Sequence, residues 1–467
     1  MKVDVKVDKS MVVFDRSSAC NMMVTLVAPD LGKDFKRNPL NICAVIDISG
    51  SMAGVKLEHV KKSMYKLIDN LTDEDSLSIV FFDNQMIPIE FKKMSSAAKD
   101  MMKKEVSNIM ARGSTDIGSA LRTAISLFAS YESGEKSVDR IMLLTDGEAN
   151  IGVVDKEGFT PIVRGARKGV SLSCFGYGAD FNEALLAHLS KEGKGSNYFI
   201  ESPDSVAKVF AVELGGLLTC YAQEIALKIT PHKGAKVVNV LNDFDVKTGA
   251  DEEGDSVTTV SMDDIYHGEK RNVLVRIECE KRDQALPRPI TVADISVSYR
   301  TVKENKVEKQ AGKCKLTLVK TSAEATSEPD KEVAEQVALL EAATLQMQAK
   351  QFADSGDFVQ ARVVYSSAID CLNRVGTDAT KVYALAMDEM SSTLDAATYT
   401  AGGLGAKSLS AMSGATKMSR CASYAGYASA SAFCATSNDA MDDLVKSFTD
   451  DKDDDGDDSK GNGKKKV

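Results

Sequence analysis

Between residues 40 and 220 the chain alternates short, continuous apolar runs with segments whose apolar residues recur at helical spacing. The clearest apolar runs are Ile42–Ile46, Leu77–Phe82, Ile141–Leu144 and Val170–Phe175. Runs of this length suit strands that are buried on both faces, as they are in a parallel sheet. The helical segments lie near residues 57–71, 121–128, 182–189 and 205–218. The alternation predicts an α/β domain, a doubly wound parallel sheet with helices on both faces.

The segments on both sides of this region show a period of two instead. Apolar and polar residues alternate from Val3 to Val7 and from Met22 to Ala28, and again from Val273 to Cys279 and from Val292 to Tyr299. This period is typical of antiparallel strands with one buried face. The acidic stretch at residues 251–254 is interpreted as the tip of a hairpin.

The last third of the chain changes character again. A helix start is predicted at Ser327–Asp330, and helical spacing continues to about residue 397. Residues 356–369 resemble half of a tetratricopeptide repeat, but only one such unit is present, so we expect a packed helical hairpin or bundle over residues 323–397. Residues 398–467 are of low complexity and then acidic, which predicts a disordered tail. Residues 451–462 match part of a calcium-binding EF-hand loop but lack the Glu at its twelfth position, which favours a solvated tail.

Composition narrows the classes of partner. The chain of 467 residues has a formal net charge of -10, which disfavours nucleic acid. No apolar run is long enough to span a membrane, and the N-terminus does not have the pattern of a signal peptide. The nine cysteines are scattered without a C-x-x-C pair, so we expect reduced thiols and an intracellular, cytoplasmic location.

Oxygen-bearing side chains follow two of the predicted strands and begin one predicted helix. The first buried strand runs directly into Asp47-Ile-Ser49-Gly-Ser51, and a later strand ends at Asp146. Thr115 stands just before a helix. Because α/β sheets bind ligands at the carboxyl ends of their strands, we expect the three loops to converge.

These residues resemble the metal-ion-dependent adhesion site of the von Willebrand factor A family, which is written D-x-S-x-S, then T, then D. The resemblance covers about residues 38–218 and implies a divalent cation, Mg²⁺ or Mn²⁺ or Ca²⁺, with hard oxygen ligands from Asp47, Ser49, Ser51, Thr115 and Asp146. It also implies that an Asp or Glu of a partner protein completes the metal's coordination. Asp116 is assigned to a helix cap in preference to the metal, and Glu148 to loop surface.

The order of the flanking strands extends the resemblance. It looks like that of plant A-domain proteins of the WAVY GROWTH type and of inter-alpha-trypsin inhibitor heavy chains. This suggests that the A domain (38–220) is inserted in a β-sandwich formed by residues 1–37 and 221–322. The paired cysteine and histidine ligands of a RING finger are missing from the sequence, so ubiquitin-ligase chemistry is not implied.

Three classes of function remain open at this point. The leading interpretation is a non-enzymatic, cation-dependent protein-binding scaffold. The alternative is an accessory subunit of an ATPase or ubiquitin-pathway assembly. A metal-assisted hydrolase is disfavoured because no obvious base stands beside the predicted metal ligands.

Overall fold

The computed structural model describes residues 1–30, 36–132, 134, 136–147, 149–178, 181–200, 205–250, 254–283, 286–325 and 328–394. The strands within these ranges are β1 (Lys2–Val7), β2 (Met11–Val13), β3 (Ser18–Val27), β4 (Leu40–Asp47), β5 (Ser76–Phe82), β6 (Met86–Lys93), β7 (Val138–Thr145), β8 (Val170–Tyr177), β9 (Lys194–Ile200), β10 (Cys220–Pro231), β11 (Ala235–Val240), β12 (Asp245–Ala250), β13 (Ser256–Met262), β14 (Ile265–Tyr266), β15 (Lys270–Cys279), β16 (Leu286–Thr301) and β17 (Lys306–Val319). The α-helices are α1 (Val55–Asn70), α2 (Ser96–Asn108), α3 (Ile117–Ser130), α4 (Lys156–Arg164), α5 (Glu183–Glu192), α6 (Ser205–Leu218), α7 (Lys331–Asp354), α8 (Phe358–Val375) and α9 (Asp378–Thr393).

The central sheet has the strand order β6-β5-β4-β7-β8-β9. Strands β5, β4, β7, β8 and β9 are parallel, as the apolar runs predict, and every residue of β4, β5 and β7 is buried. The expectation of a wholly parallel sheet is corrected at one edge, where β6 pairs antiparallel with β5. Strand β6 is largely exposed and contains Pro88, which an edge strand tolerates because Pro cannot donate to a ladder.

Helices cover both faces of this sheet, which makes it the doubly wound α/β fold. One core lies beneath α1, α2 and α6, and a second lies beneath α3, α4 and α5. Chain order reverses between β4 and β7, because the chain moves outward from β4 to β6 and then returns to the other side of β4. In such sheets this reversal opens a crevice at the carboxyl ends of the strands.

The flanking segments build two further sheets. One has the order β1-β3-β15-β11, and the other has the order β12-β13-β10-β16-β17-β2 with β14 on β10. They share one apolar core that joins strands from before and after the α/β domain, so the domain is inserted in a β-sandwich. The pairing is antiparallel except between β2 and β17, which are parallel. Strands β12 and β13 pair as a hairpin should, but residues 251–253 of the predicted tip lie outside the described residues.

A buried ion pair joins the two parts of the molecule. Arg140 of β7 donates from Nη2 to Asp264 of the sandwich at 2.8 Å, and its Nε lies 3.5 Å from Glu213 of α6. All three side chains are at most 5% exposed. Buried charges are tolerated where they are paired and hydrogen-bonded, and this pair links the inserted domain to the sandwich.

The C-terminal helices α7, α8 and α9 confirm the expected helical region as a bundle, because in the described part of the chain α9 packs against the pair of α7 and α8. Helix α7 also packs on the sandwich through Val333, Val337 and Leu340, which meet Met23 and Leu274. None of the described helices combines the length and apolar character that a membrane-spanning helix needs. The tail over residues 398–467 and the boundary predicted near residue 397 lie outside the described residues. The domain boundaries that the sequence predicts stay predictions.

Candidate metal centre

The predicted ligands stand at the carboxyl edge of the central sheet, at the point where chain order reverses. Asp47 is the last residue of β4, and Asp146 follows the last residue of β7, its neighbour in the sheet. Thr115 lies two residues before α3. Parallel strands β4 and β7 therefore bring two carboxylates, which are far apart in the sequence, to one crevice.

The loop after β4 is folded around the Asp47 carboxylate. Asp47 Oδ1 accepts a hydrogen bond from the Ser49 backbone N–H at 2.7 Å. The Ser49 and Ser51 hydroxyl oxygens lie 3.1 Å apart, and the Ser51 hydroxyl donates to Asp146 Oδ1 at 2.7 Å. Asp47, Ser49 and Asp146 are buried and Ser51 is exposed. The cluster is therefore open to solvent on the side of Ser51.

Backbone hydrogen bonds tie the three loops together. The Gly50 N–H donates to the Gly113 carbonyl at 3.2 Å, and the Asn150 N–H donates to the Thr115 carbonyl at 3.2 Å. The Asn150 side chain accepts in return from the Thr115 N–H at 2.9 Å. Gly113 has φ +70, and a Cβ there would meet Asn84 Oδ1 at 2.4 Å, so the loop before Thr115 requires glycine.

The hydroxyl groups of Thr115 and Ser51 lie near the same position, that of Gly147. A Cβ built on Gly147 would lie 3.4 Å from Thr115 Oγ1 and 3.9 Å from Ser51 Oγ, so both hydroxyl groups border the position of Gly147. The structure thus brings all five predicted residues into one cluster. The assignment of Asp116 to a helix cap is confirmed, because its Oδ1 accepts from the Ser119 N–H at 2.9 Å at the start of α3. Glu148 lies outside the described residues.

The electrostatics of the cluster favour a cation. Burial raises the pKa of Asp47, hydrogen bonds from Thr145 and Ser49 oppose that rise, and the nearby Asp146 carboxylate adds to it. Two carboxylates at one buried place repel each other and need positive charge close by. The Lys56 ammonium supplies one positive charge through an ion pair with Asp146 Oδ2.

The donor set fits a hard divalent cation. It consists of two carboxylates and three hydroxyls, the oxygen ligands that Mg²⁺, Mn²⁺ and Ca²⁺ prefer. Among the described residues there is no group of three or more His, Cys, Asp and Glu side chains placed to hold a metal ion, so nothing in that part of the chain offers a zinc-type ligand set. The described cysteines, seven in number, are free thiols, and all but Cys371 are buried.

Two side chains of the centre are not among the residues that the sequence motif predicts. Thr145 donates its hydroxyl hydrogen to Asp47 Oδ2 at 2.5 Å and so holds both carboxylate oxygens of Asp47 in hydrogen bonds. Lys56 reaches Asp146 from the first turn of α1. Thr145 could have been found from its place directly before Asp146 at the strand end, and Lys56 from its charge at a helix N-terminus, where a cation is unfavourable.

Comparison with known proteins agrees with the fold of the A domain. Residues 41–212 match the family model of the von Willebrand factor type A domain. Fold, strand order and family model together show that the chain carries a von Willebrand factor type A domain.

Relatives and solved structures extend the comparison. An uncharacterised protein of Synechocystis is 28% identical over 273 residues, which are 56% of this chain and 62% of that protein. Human inter-alpha-trypsin inhibitor heavy chain H4 is 31% identical over 164 residues, 34% of this chain and 18% of the relative. The matches thus span less than two thirds of either relative. A von Willebrand factor type A structure from Catenulispora acidiphila has a TM-score of 0.67 at 16% identity and covers 89% of this chain and 96% of its own, which shows that the fold is shared.

Proposed function

We propose that the chain is a non-enzymatic protein-binding scaffold whose A domain holds a divalent cation. Mg²⁺ is the proposed ion, and Mn²⁺ or Ca²⁺ can take its place. Asp47, Ser49, Ser51, Thr115 and Asp146 hold the ion directly or through water. The bound cation supplies an electrophilic position that accepts one carboxylate oxygen of an Asp or Glu on a partner protein. The sandwich and the C-terminal helices serve as the scaffold for this surface.

The observation that carries the proposal is the meeting of five oxygen-bearing side chains from three loops at the switch point of the sheet, with both carboxylates buried. Their two negative charges balance a 2+ ion without excess, which leaves the ion able to attract one more carboxylate. Each carboxylate is already engaged with neighbouring groups: Asp47 with Ser49 and Thr145, and Asp146 with Ser51 and Lys56. This arrangement supports binding in preference to general-base catalysis.

The metal part of the proposal is tested by calorimetric titration with MgCl₂ and MnCl₂. The wild type should bind one equivalent of the metal ion, and Asp47→Ala should lose most of the heat of binding. Asp73→Ala is the matched control, because it removes an exposed carboxylate of the same chain and should leave the isotherm unchanged. Equal isotherms for wild type and Asp47→Ala would overturn the assignment.

The partner part is tested by surface plasmon resonance with a protein recovered in Mg²⁺ and released by EDTA. Affinity should collapse in EDTA and return with Mg²⁺ or Mn²⁺. It should also fall in Thr115→Ala and when the contacting Glu or Asp of the partner is changed to Gln or Asn. Affinity that is indifferent to all three changes would place partner docking on the sandwich or the helices.

A further inference from the structure

Lys56 is the one described cation whose Nζ pairs with a carboxylate of the candidate metal centre. Its partner atom is Asp146 Oδ2, and the other oxygen of that carboxylate accepts from Ser51 at 2.7 Å. The Asp146 side chain is 0% exposed, whereas the Lys56 side chain is 36% exposed. The ammonium therefore reaches inward from the rim and neutralises a buried charge.

Lys56 stands at the N-terminus of its helix, where a positive charge is electrostatically unfavourable. It is the second residue of α1, whose N-terminal backbone N–H groups already carry partial positive charge. A lysine is unfavourable there unless a carboxylate lies within reach. The Asp146 carboxylate provides that compensation, so the local electrostatics favour Lys56 only while Asp146 is available to it.

Tyr177 and Gly178 border the Lys56 ammonium. Lys56 Nζ lies 5.7 Å from the centroid of the Tyr177 ring, within the range of a cation–π contact. Gly178 next to it has no side chain, and a Cβ there would lie 3.9 Å from Nζ. The ammonium thus lies between the buried Asp146 carboxylate and the Tyr177 ring, and residue 178 places no side chain against it.

We propose that Lys56 is a tethered competing cation: its ammonium holds the Asp146 carboxylate when no metal is bound, and a divalent cation must displace it to enter the site. This inference rests on the proposed function. It makes Lys56 a positioning residue that sets the affinity and the divalent-over-monovalent preference of the centre. A single ammonium neutralises one of the two carboxylates, so only a 2+ ion that binds both can replace it with a gain in charge balance.

Competition predicts that removal of the ammonium tightens metal binding, whereas a merely structural role predicts the opposite. Mn²⁺ titration calorimetry is compared for wild type, Lys56→Met and Lys61→Met. Lys61 lies on the same helix and pairs with Glu58 at 3.0 Å, away from the centre, so it is the matched control. Lys56→Met should lower the Mn²⁺ dissociation constant by at least about tenfold, and Lys61→Met should leave it unchanged.

Melting curves in EDTA give a second, metal-free readout. Lys56→Met leaves the buried Asp146 without its countercharge, so this variant should melt at a lower temperature than wild type in EDTA. Its melting temperature should rise more than that of wild type when Mn²⁺ is added. Lys56→Gln keeps a hydrogen-bond donor but not the charge, so its melting temperature and its Mn²⁺ affinity should change in the same direction. It replaces the Met variant in these measurements if that variant does not fold.

The outcomes separate the two proposals. If wild type binds Mn²⁺ and both Lys56 variants bind it equally or more weakly, the competing-cation inference is wrong and the metal site stands. If neither wild type nor the Lys56 variants bind Mn²⁺, the proposed function fails, and the inference fails with it. Binding by the Lys56 variants alone would mean that Mn²⁺ cannot displace the ammonium, which contradicts both the proposed function of the wild type and the exchange that the inference requires.

Discussion

The Thr145 hydroxyl on β7 donates a 2.5 Å hydrogen bond to Asp47 Oδ2 on the neighbouring strand β4. The other carboxylate oxygen of Asp47 accepts from the Ser49 backbone. Asp47 is thus fixed before any ligand arrives, by a residue that is not itself one of the predicted metal ligands. Groups that orient a ligand in this way tune the metal affinity of a site.

Replacing Thr145 by Val should therefore weaken Mg²⁺ and Mn²⁺ binding by about 10- to 100-fold, because Asp47 loses its orienting donor while the shape of the side chain is kept. Thr145→Ser retains the hydroxyl and should bind close to the wild type. Titration calorimetry of the three proteins measures the effect. Unchanged affinity in Thr145→Val would mean that Asp47 does not depend on this contact.

Acid should lower the stability of the fold through protonation of Asp75, which holds Arg37 and Leu40 at the start of the A domain. Burial alone would raise the pKa of this carboxyl, but hydrogen bonds from Arg37 and from the Thr72 and Leu40 N–H groups outweigh burial and lower the pKa below its usual value. A carboxyl whose pKa is lower in the folded state stabilises the fold above its unfolded pKa of about 3.9, and this stabilisation is lost as the pH falls through the folded value.

Asp75→Asn should consequently lower the free energy of unfolding by about 2 kcal/mol at pH 7, with a smaller difference from wild type below pH 4. Urea unfolding of both proteins between pH 2.5 and pH 7 provides the test. A difference that grows on acidification would contradict the assigned direction of the pKa shift.

The ion pair between the A domain and the sandwich should matter far more than pairs at the surface. Arg140→Met leaves the Asp264 carboxylate buried without its cation and should cost about 3–5 kcal/mol. Arg164→Met removes an exposed arginine that pairs with Glu192 at 2.6 Å, and should cost less than about 1 kcal/mol. Chemical unfolding of both variants measures the contrast, and equal costs would argue against a structural role for the buried pair.

Docking of the C-terminal helices on the sandwich should depend on Leu340. Its side chain is buried with Met23 and Leu274, so Leu340→Ala should destabilise the protein by about 3 kcal/mol. Leu385 on α9 is 70% exposed, and Leu385→Ala should leave the melting temperature unchanged. Similar melting temperatures for the two variants would mean that α7 does not need this contact.

The sequence predicts the strands that are wholly buried better than those at the edges. Ile42–Ile46 is a continuous apolar run and lies in the centre of the sheet as β4, because burial on both faces leaves no room for alternation. The edge strand β6 escaped prediction, since its sequence mixes Pro88 with charged residues and its side chains are largely exposed. The alternation around Met22–Leu26 predicts one exposed face, but Met23 is buried because α7 covers that face. Such tertiary contacts are not visible in a local pattern.

Some features of the candidate site are predictable from the sequence, and others are not. The motif order places Asp47 and Asp146 at strand ends, so parallel pairing alone brings them together. The direction of the Thr145 hydroxyl and the reach of Lys56 across the loop depend on side-chain geometry, which spacing along the chain does not determine.

A divalent cation is proposed to sit between Asp47 and Asp146. Crystals of the full chain grown in MnCl₂ and measured at the manganese absorption edge test it most directly. We expect one strong anomalous peak within coordination distance of the Asp47, Ser49, Ser51, Thr115 and Asp146 oxygens or of waters bound to them, with Lys56 moved away from Asp146. A map without a peak at this cluster, with the Lys56 ammonium still on Asp146 at millimolar Mn²⁺, would contradict it.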